Sequence, residues 1–181
     1  MGQEERIQNA YRGLGGKRTF YDGMITCSTL SGRAVCSLVW GMGRAETQDY
    51  LCVALSGIPE GFSGRLLEVP VGTGILTMPL YREMPEAEIT CLDYSPEMLE
   101  RAKSRGEGLA HVRFQQGDVG GLPFGDGSFD IALSLNGFHA FPDKEAAYRE
   151  VFRVLRPGGI FCGCFYVKGE QKRTDWFVRH I

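Results

Sequence analysis

The chain has 181 residues, 43% of them hydrophobic, and a formal net charge of −2. That length suits one domain with a substantial core, and the charge excludes a general attraction to nucleic acid or anionic membrane while leaving room for a local basic patch. No apolar run approaches the roughly 18 to 20 residues that span a bilayer, and Met1-Gly2-Gln3-Glu4-Glu5-Arg6 begins no signal-peptide-like segment, so the cytoplasm is the expected location.

Residues 1–63 read as a mostly helical cap. Gln3 to Arg12 is a short polar helix candidate. Lys17 to Trp40 mixes aromatics with small residues, and Glu46 to Leu55 is amphipathic. Gly57, Pro59, Gly61 and Gly64 mark a loop. From there strand and helix alternate. The predicted strands are 65–69, 88–92, 111–115, 129–135 and 160–167. A helix is predicted over about 75–84, late or bent because Pro79 suits no helix interior. A second starts at Ser95-Pro96, with Ser as N-cap, and stops at Gly106. A third covers about 143–155, and Pro157-Gly158-Gly159 turns the chain into the last strand. This alternation predicts an α/β fold: a doubly wound, mostly parallel, Rossmann-like sheet with helices on both faces over residues 64–181.

Six cysteines stand at 27, 36, 52, 91, 162 and 164, mostly among apolar neighbours and with no Cys-x-x-Cys pair. They read as reduced, largely buried thiols, with no metal site expected. Cys162 and Cys164 share one face of a strand.

The functional signals cluster at the carboxyl ends of the predicted strands, where ligands sit in such sheets. The first strand runs through Glu68 and Val69 into Pro70-Val71-Gly72-Thr73-Gly74. A turn of this kind brings a ligand against bare backbone, and a helix beginning near Ile75 would offer unpaired N–H groups to its anionic parts. Asp93 ends the second strand, Gly117-Asp118-Val119 follows the third, and Asn136-Gly137-Phe138-His139 follows the fourth. With Leu122-Pro123-Phe124, Phe129-Asp130 and Arg156-Pro157-Gly158-Gly159, these motifs resemble the class I S-adenosylmethionine-dependent methyltransferases of the small-molecule and lipid type, over about residues 64–165.

The resemblance implies S-adenosylmethionine as cofactor, S-adenosylhomocysteine as product and a small-molecule or lipid-like acceptor. It implies that residues 70–74 approach the methionine moiety and that Glu68 supports its amino end, directly or through water. Asp93 would accept from both ribose hydroxyls, which a carboxylate can do with two oxygens. Within the Gly117-Asp118-Val119 segment, Asp118 would accept from the adenine amino group and the Val119 N–H would meet a ring nitrogen. Tyr94 and Met98 would flank the cofactor face of the second helix, with an apolar side chain near Met98 covering the adenine; helical core packing is the alternative. Asn136 would bound the methionine end. His139 has two readings, an orienting or proton-accepting group for the acceptor and a structural histidine bonded to backbone. Tyr11, Phe20, Tyr21 and Trp40 are candidate cap residues or ordinary packing. Asp130 reads as a buttress at the start of its strand, outside the site.

Two features depart from the family pattern. Pro70 stands where a glycine is usual and removes one N–H. The usual continuation into a helix and two more strands is missing after the start of a helix at Thr174–Arg179, which leaves the last strand as an uncovered edge; a truncated chain, a natural short form and a homodimer that buries the edge are the competing readings, and self-association is expected if the chain is complete. Two other functions remain open: a protein that keeps the cofactor pocket but acts only by binding, and a nicotinamide-dependent enzyme. Against the latter, Thr77 holds the third glycine position of Gly-x-Gly-x-x-Gly.

Overall fold

The computed structural model describes Ser37, residues 44–170, Lys172 and residues 174–176. The helix candidate at 3–12, the 17–40 stretch, the four aromatic cap candidates, Cys27 and Cys36 lie outside the described residues. The chain divides into two compact units, Met1–Val53 with Tyr166–Ile181, and Ala54–Phe165. Helix α1 (Arg44–Leu55) runs across that boundary in sequence. In the first unit Tyr166 donates its hydroxyl to the Asp175 carboxylate, which also accepts from the Gly169 N–H.

The second unit holds a five-stranded sheet of β1 (Arg65–Glu68), β2 (Glu88–Asp93), β3 (Val112–Gln116), β4 (Phe129–Leu135) and β5 (Leu155–Cys164), ordered β3-β2-β1-β4-β5. Every neighbouring pair is parallel. The chain moves outward from β1 to β3 and returns to the far side of β1 with β4, so β1 and β4 flank the topological switch point. Between the strands run α2 (Met78–Arg82), α3 (Pro96–Arg105) and α4 (Lys144–Val154), with short 3-10 turns at Val119–Gly121 and Phe138–Ala140.

The period-2 alternation of β1 divides the core. Leu66 packs with Met78, Tyr81, Leu99 and Ala102 of α2 and α3. Leu67 and Val69 pack with Ala147, Val151 and Val154 of α4. By the same alternation Glu68 falls on the Leu66 side, and its carboxyl is driven into apolar surroundings.

Local chemistry sets the helix starts. Ser95 accepts from the Met98 N–H at 3.3 Å and Asp143 from the Ala146 N–H at 2.8 Å, each as an N-cap. The helix expected near Ile75 forms only at Met78, after Thr77. Pro79 then lies in the first turn, where an N–H is dispensable. The last strand is also displaced: it begins at Leu155 and ends at Cys164, not at 160 and 167. Phe129 pairs with Leu155 and Ile131 with Ile160, so Arg156-Pro157-Gly158-Gly159 forms a bulge opposite Asp130 within the ladder. Gly158 takes φ 78° there, a conformation proper to glycine. Asp130 accepts from the Arg65 N–H at 2.7 Å and from Arg156 Nε at 2.5 Å. It ties the amino-terminal ends of β1 and β4 to the bulge, at the end of the sheet opposite the glycine turn. Cys91 is buried and Cys162 and Cys164 are half-buried, but Cys52 is exposed, contrary to the expectation of largely buried thiols.

Candidate functional site

The glycine turn after β1 is held by bonds from several directions. Val71 N–H donates to Leu92 O at 2.9 Å, Gly72 N–H to Asp93 Oδ2 at 2.7 Å and Gly74 N–H to Val71 O at 3.1 Å. Gly72 and Gly74 take φ of 58° and 68°, where a side chain would strain the backbone. A Cβ on Gly74 would also lie 3.3 Å from Ala102 Cα, so α3 backs the turn closely. The helix-end donors expected near Ile75 are not formed, because α2 is a five-residue helix that starts at Met78.

Asp93 is the junction of the site. Its Oδ2 accepts from the turn after β1 and its Oδ1 from the Ser95 N–H at 2.9 Å. Its main-chain carbonyl accepts from the Gly117 N–H at 3.1 Å. One residue thus joins the loops following β1, β2 and β3. Burial pushes its carboxyl up to about 6, against the lowering effect of the backbone donors. An ionised carboxylate offers about four lone-pair positions. The Gly72 and Ser95 N–H groups take one position on each oxygen and the Tyr94 backbone also acts on the carboxylate, which leaves acceptor capacity for ligand hydroxyls.

Glu68 lies elsewhere than a surface role would place it. It is 1% exposed. Its Oε2 accepts from the Tyr81 hydroxyl at 2.8 Å and lies 3.7 Å from Cys91 Sγ. Thr77 adjoins the pair and favours the carboxylate electrostatically, although its hydroxyl makes no hydrogen bond of normal geometry. Burial pushes Glu68 up to about 8, only partly offset by Tyr81, Thr77 and Cys91. Among the described residues it has no ion-pair partner. Tyr81 and Cys91 are themselves held well above their ordinary values, first by burial and then by Glu68.

The remaining predicted residues are distributed around this centre. Asp118 is exposed and its Oδ1 caps the following 3-10 turn, accepting from the Gly120 N–H at 2.8 Å, while Val119 is buried. Tyr94 is exposed and its carbonyl accepts from Gln116 Nε2, whereas Met98 is fully buried. Asn136 stands at φ 55°, and its N–H donates to Cys164 O at 2.7 Å. A Cβ on Gly137 would come within 2.0 Å of Pro70 Cδ. The loops after β1 and β4 therefore meet across the switch point, with Pro70 packed where only a glycine can face it. His139 is half-buried in the adjoining turn; burial, and secondarily Lys144, lower its pKa and favour the neutral imidazole. Sequence reasoning missed Tyr81, Cys91 and Arg105, the last of which donates from Nη1 to Thr73 O at 2.7 Å.

A family model described as a methyltransferase domain matches residues 66–159. The demethylmenaquinone methyltransferase of Thermus thermophilus is 43% identical over 97 residues, covering 52% of this chain and 44% of that protein. A chloroplastic 2-methyl-6-phytyl-1,4-hydroquinone methyltransferase of Oryza sativa is 36% identical over 115 residues, covering 64% of this chain and 32% of that protein. The crystal structure of the Bacillus subtilis YcgJ protein superposes with a TM-score of 0.62 at 33% identity, covering 74% of this chain and 57% of that one. The chain spans less than half the length of the two curated relatives.

Proposed function

The chain belongs to the family of methyltransferase domains, whose model matches more than half its length, and on that premise we propose that it transfers a methyl group from S-adenosylmethionine to a small, lipid-like acceptor. The observation that carries this is the Asp93 junction, a carboxylate with spare acceptor capacity that also fixes the glycine turn. When bound, the cofactor supplies a methyl group on a positively charged sulfur, and sulfur keeps the bonding electron pair as the acceptor takes the methyl. The protein holds acceptor, methyl and sulfur in line, an arrangement that contributes several kcal/mol by orientation alone.

In this proposal Asp93 accepts from the ribose hydroxyls, and residues 70–74 with Asn136 line the methionine end. Glu68 acts on the amino end through the turn or an intervening water, consistent with its burial. Asp118, through its second oxygen, and the Val119 N–H would hold the adenine end, with Tyr94 and Met98 as its further neighbours. His139, held neutral by burial, accepts the proton that the acceptor sheds. The sheet unit, Ala54–Phe165, holds the cofactor, and the loop after β4 takes part in selecting the acceptor. Among the described residues no helix is long and apolar enough to cross a membrane, and the cytoplasm is the proposed place of action. Family membership leaves the nicotinamide alternative without support.

The names of the two curated relatives point to quinone-type acceptors. The proposed acceptor is accordingly a prenylated hydroquinone lacking one ring methyl. Incubation of the protein with S-adenosylmethionine and such a hydroquinone under reducing conditions is expected to give a singly methylated product by mass spectrometry. Cofactor binding without product from any hydroquinone would favour the binding-only alternative. Self-association through the β5 edge is also proposed, because β5 pairs only with β4 among the described residues and exposes Ile160. Light scattering is expected to give a dimer mass; a monodisperse monomer would contradict this.

A further inference from the structure

We propose that Arg105 is a positioning residue that locks the glycine turn into its ligand-binding shape, an inference that rests on the cofactor reading above. Arg105 is the last residue of α3, and its Nη1 donates to the Thr73 carbonyl at 2.7 Å. Thr73 is 2% exposed, so water cannot readily replace that donor. The peptide unit between Thr73 and Gly74 is thereby held at both ends, its carbonyl by Arg105 and its N–H by Val71 O at 3.1 Å. This matters because Gly74, which follows the unit, and Gly72, one residue before Thr73, both take positive φ. Glycines leave the neighbouring backbone free to rotate, and Arg105 holds the Thr73 carbonyl of the turn against that freedom.

Arg105 is itself fixed. Its main-chain carbonyl accepts from Arg82 Nη2 at 2.6 Å, and Arg82 is the last residue of α2. The carboxyl ends of two helices and the turn thus form one hydrogen-bonded chain, Arg82 to Arg105 to Thr73. A cation also suits a helix carboxyl end, where the backbone dipole is negative. Arg105 touches no reacting atom in this scheme. It acts through the turn, so its loss should weaken cofactor binding and leave the chemical step alone.

The test compares Arg105→Met, which keeps most of the aliphatic stem but no donor, with Arg105→Lys, which keeps one point charge. Calorimetry with S-adenosylhomocysteine is expected to show a Kd raised ~10-fold or more in Arg105→Met, the scale of a lost charged hydrogen bond, and partial recovery in Arg105→Lys. The KM for S-adenosylmethionine should rise in parallel while kcat at saturation stays within about twofold, since uniform binding is what is lost. In the ligand-free protein, amide hydrogen exchange should quicken in the 70–78 segment of Arg105→Met and not in β3 or β4. Unchanged affinity, unchanged exchange in that segment, or exchange quickened throughout the sheet would each overturn the proposal. If the parent protein binds no S-adenosyl ligand, the cofactor reading fails, and the exchange comparison still decides whether Arg105 holds the turn.

Discussion

Asp93→Ala is expected to weaken S-adenosylhomocysteine binding by at least ~100-fold, about 2.7 kcal/mol. Two losses combine. The variant removes both acceptors for the ribose hydroxyls, and hydrogen bonds to a charged group contribute roughly 1.5–3 kcal/mol each. It also strips the Gly72 and Ser95 N–H groups of their partners, releasing the turn after β1 from the start of α3. Asp93→Asn keeps one acceptor oxygen and should fall between the two. Because burial pushes Asp93 up to about 6, the parent protein should also lose affinity below that pH, as the carboxylate takes a proton. Calorimetry on the three proteins, with melting curves to confirm folding, checks this; an Asp93→Ala protein that binds as tightly as the parent would remove Asp93 from the site.

The second large effect is on stability. Glu68 has a folded pKa of about 8 against an ordinary value of 4.5. The folded state therefore binds more protons than the unfolded state between those values, and stability falls as pH rises through that window, levelling above it. The effect of this one residue is on the order of 5 kcal/mol. Asp93 adds in the same direction at lower pH, with its rise from 3.8 to about 6. His139, lowered by burial, opposes both, because its neutral form is favoured on folding and stability from it grows as pH rises through the unfolded value of 6.5. Cys91 and Tyr81, raised beside Glu68, extend the decline above their own unfolded values. Glu68→Gln isolates the contribution of this carboxyl, since an amide oxygen still accepts from Tyr81 but does not titrate. Urea unfolding of the ligand-free protein at pH 5.5 and pH 8 should show the parent clearly less stable at the higher pH and the variant with most of that difference gone. A parent as stable at pH 8 as at pH 5.5, or a variant with the same slope, would show that Glu68 is ionised in the fold.

What the sequence disclosed was whatever depends on neighbours in the chain. The bounds of β4 agree with expectation because that strand is a mostly apolar run, broken only by Asp130 and Ser134, between turn signals. The Ser95 cap is a local side chain to backbone bond, visible in the order Ser95-Pro96; the Asp143 cap is as local, but the order of residues marks only a helix start there. Asp93 could be picked out because it ends its strand one loop away from the glycine turn, and its bond to Gly72 is the contact that this placement allows.

The remainder depended on tertiary partners. Nothing in the residues around Glu68 tells that Tyr81 will close over it, because the meeting needs α2 to fold back onto the face where β1 alternation has put that carboxyl. Arg105 looked like an ordinary basic residue at a helix end until the packing of Gly74 on Ala102 brought Thr73 within its reach. The Pro-Gly-Gly segment read as a simple turn, and the Asp130 bonds to Arg65 and Arg156 made it a bulge inside the ladder. Pro70 was legible as a departure from the family pattern but its counterpart was not. Only the pairing of β1 beside β4 places it against Gly137.

Titration of the purified protein with S-adenosylhomocysteine tests most directly whether the glycine turn and Asp93 form an S-adenosyl ligand site. Saturable binding at one site per chain is expected, weakening as pH falls through about 6 with the protonation of Asp93. No heat of binding, together with no shift of the melting transition by the ligand at saturating concentration, would contradict it.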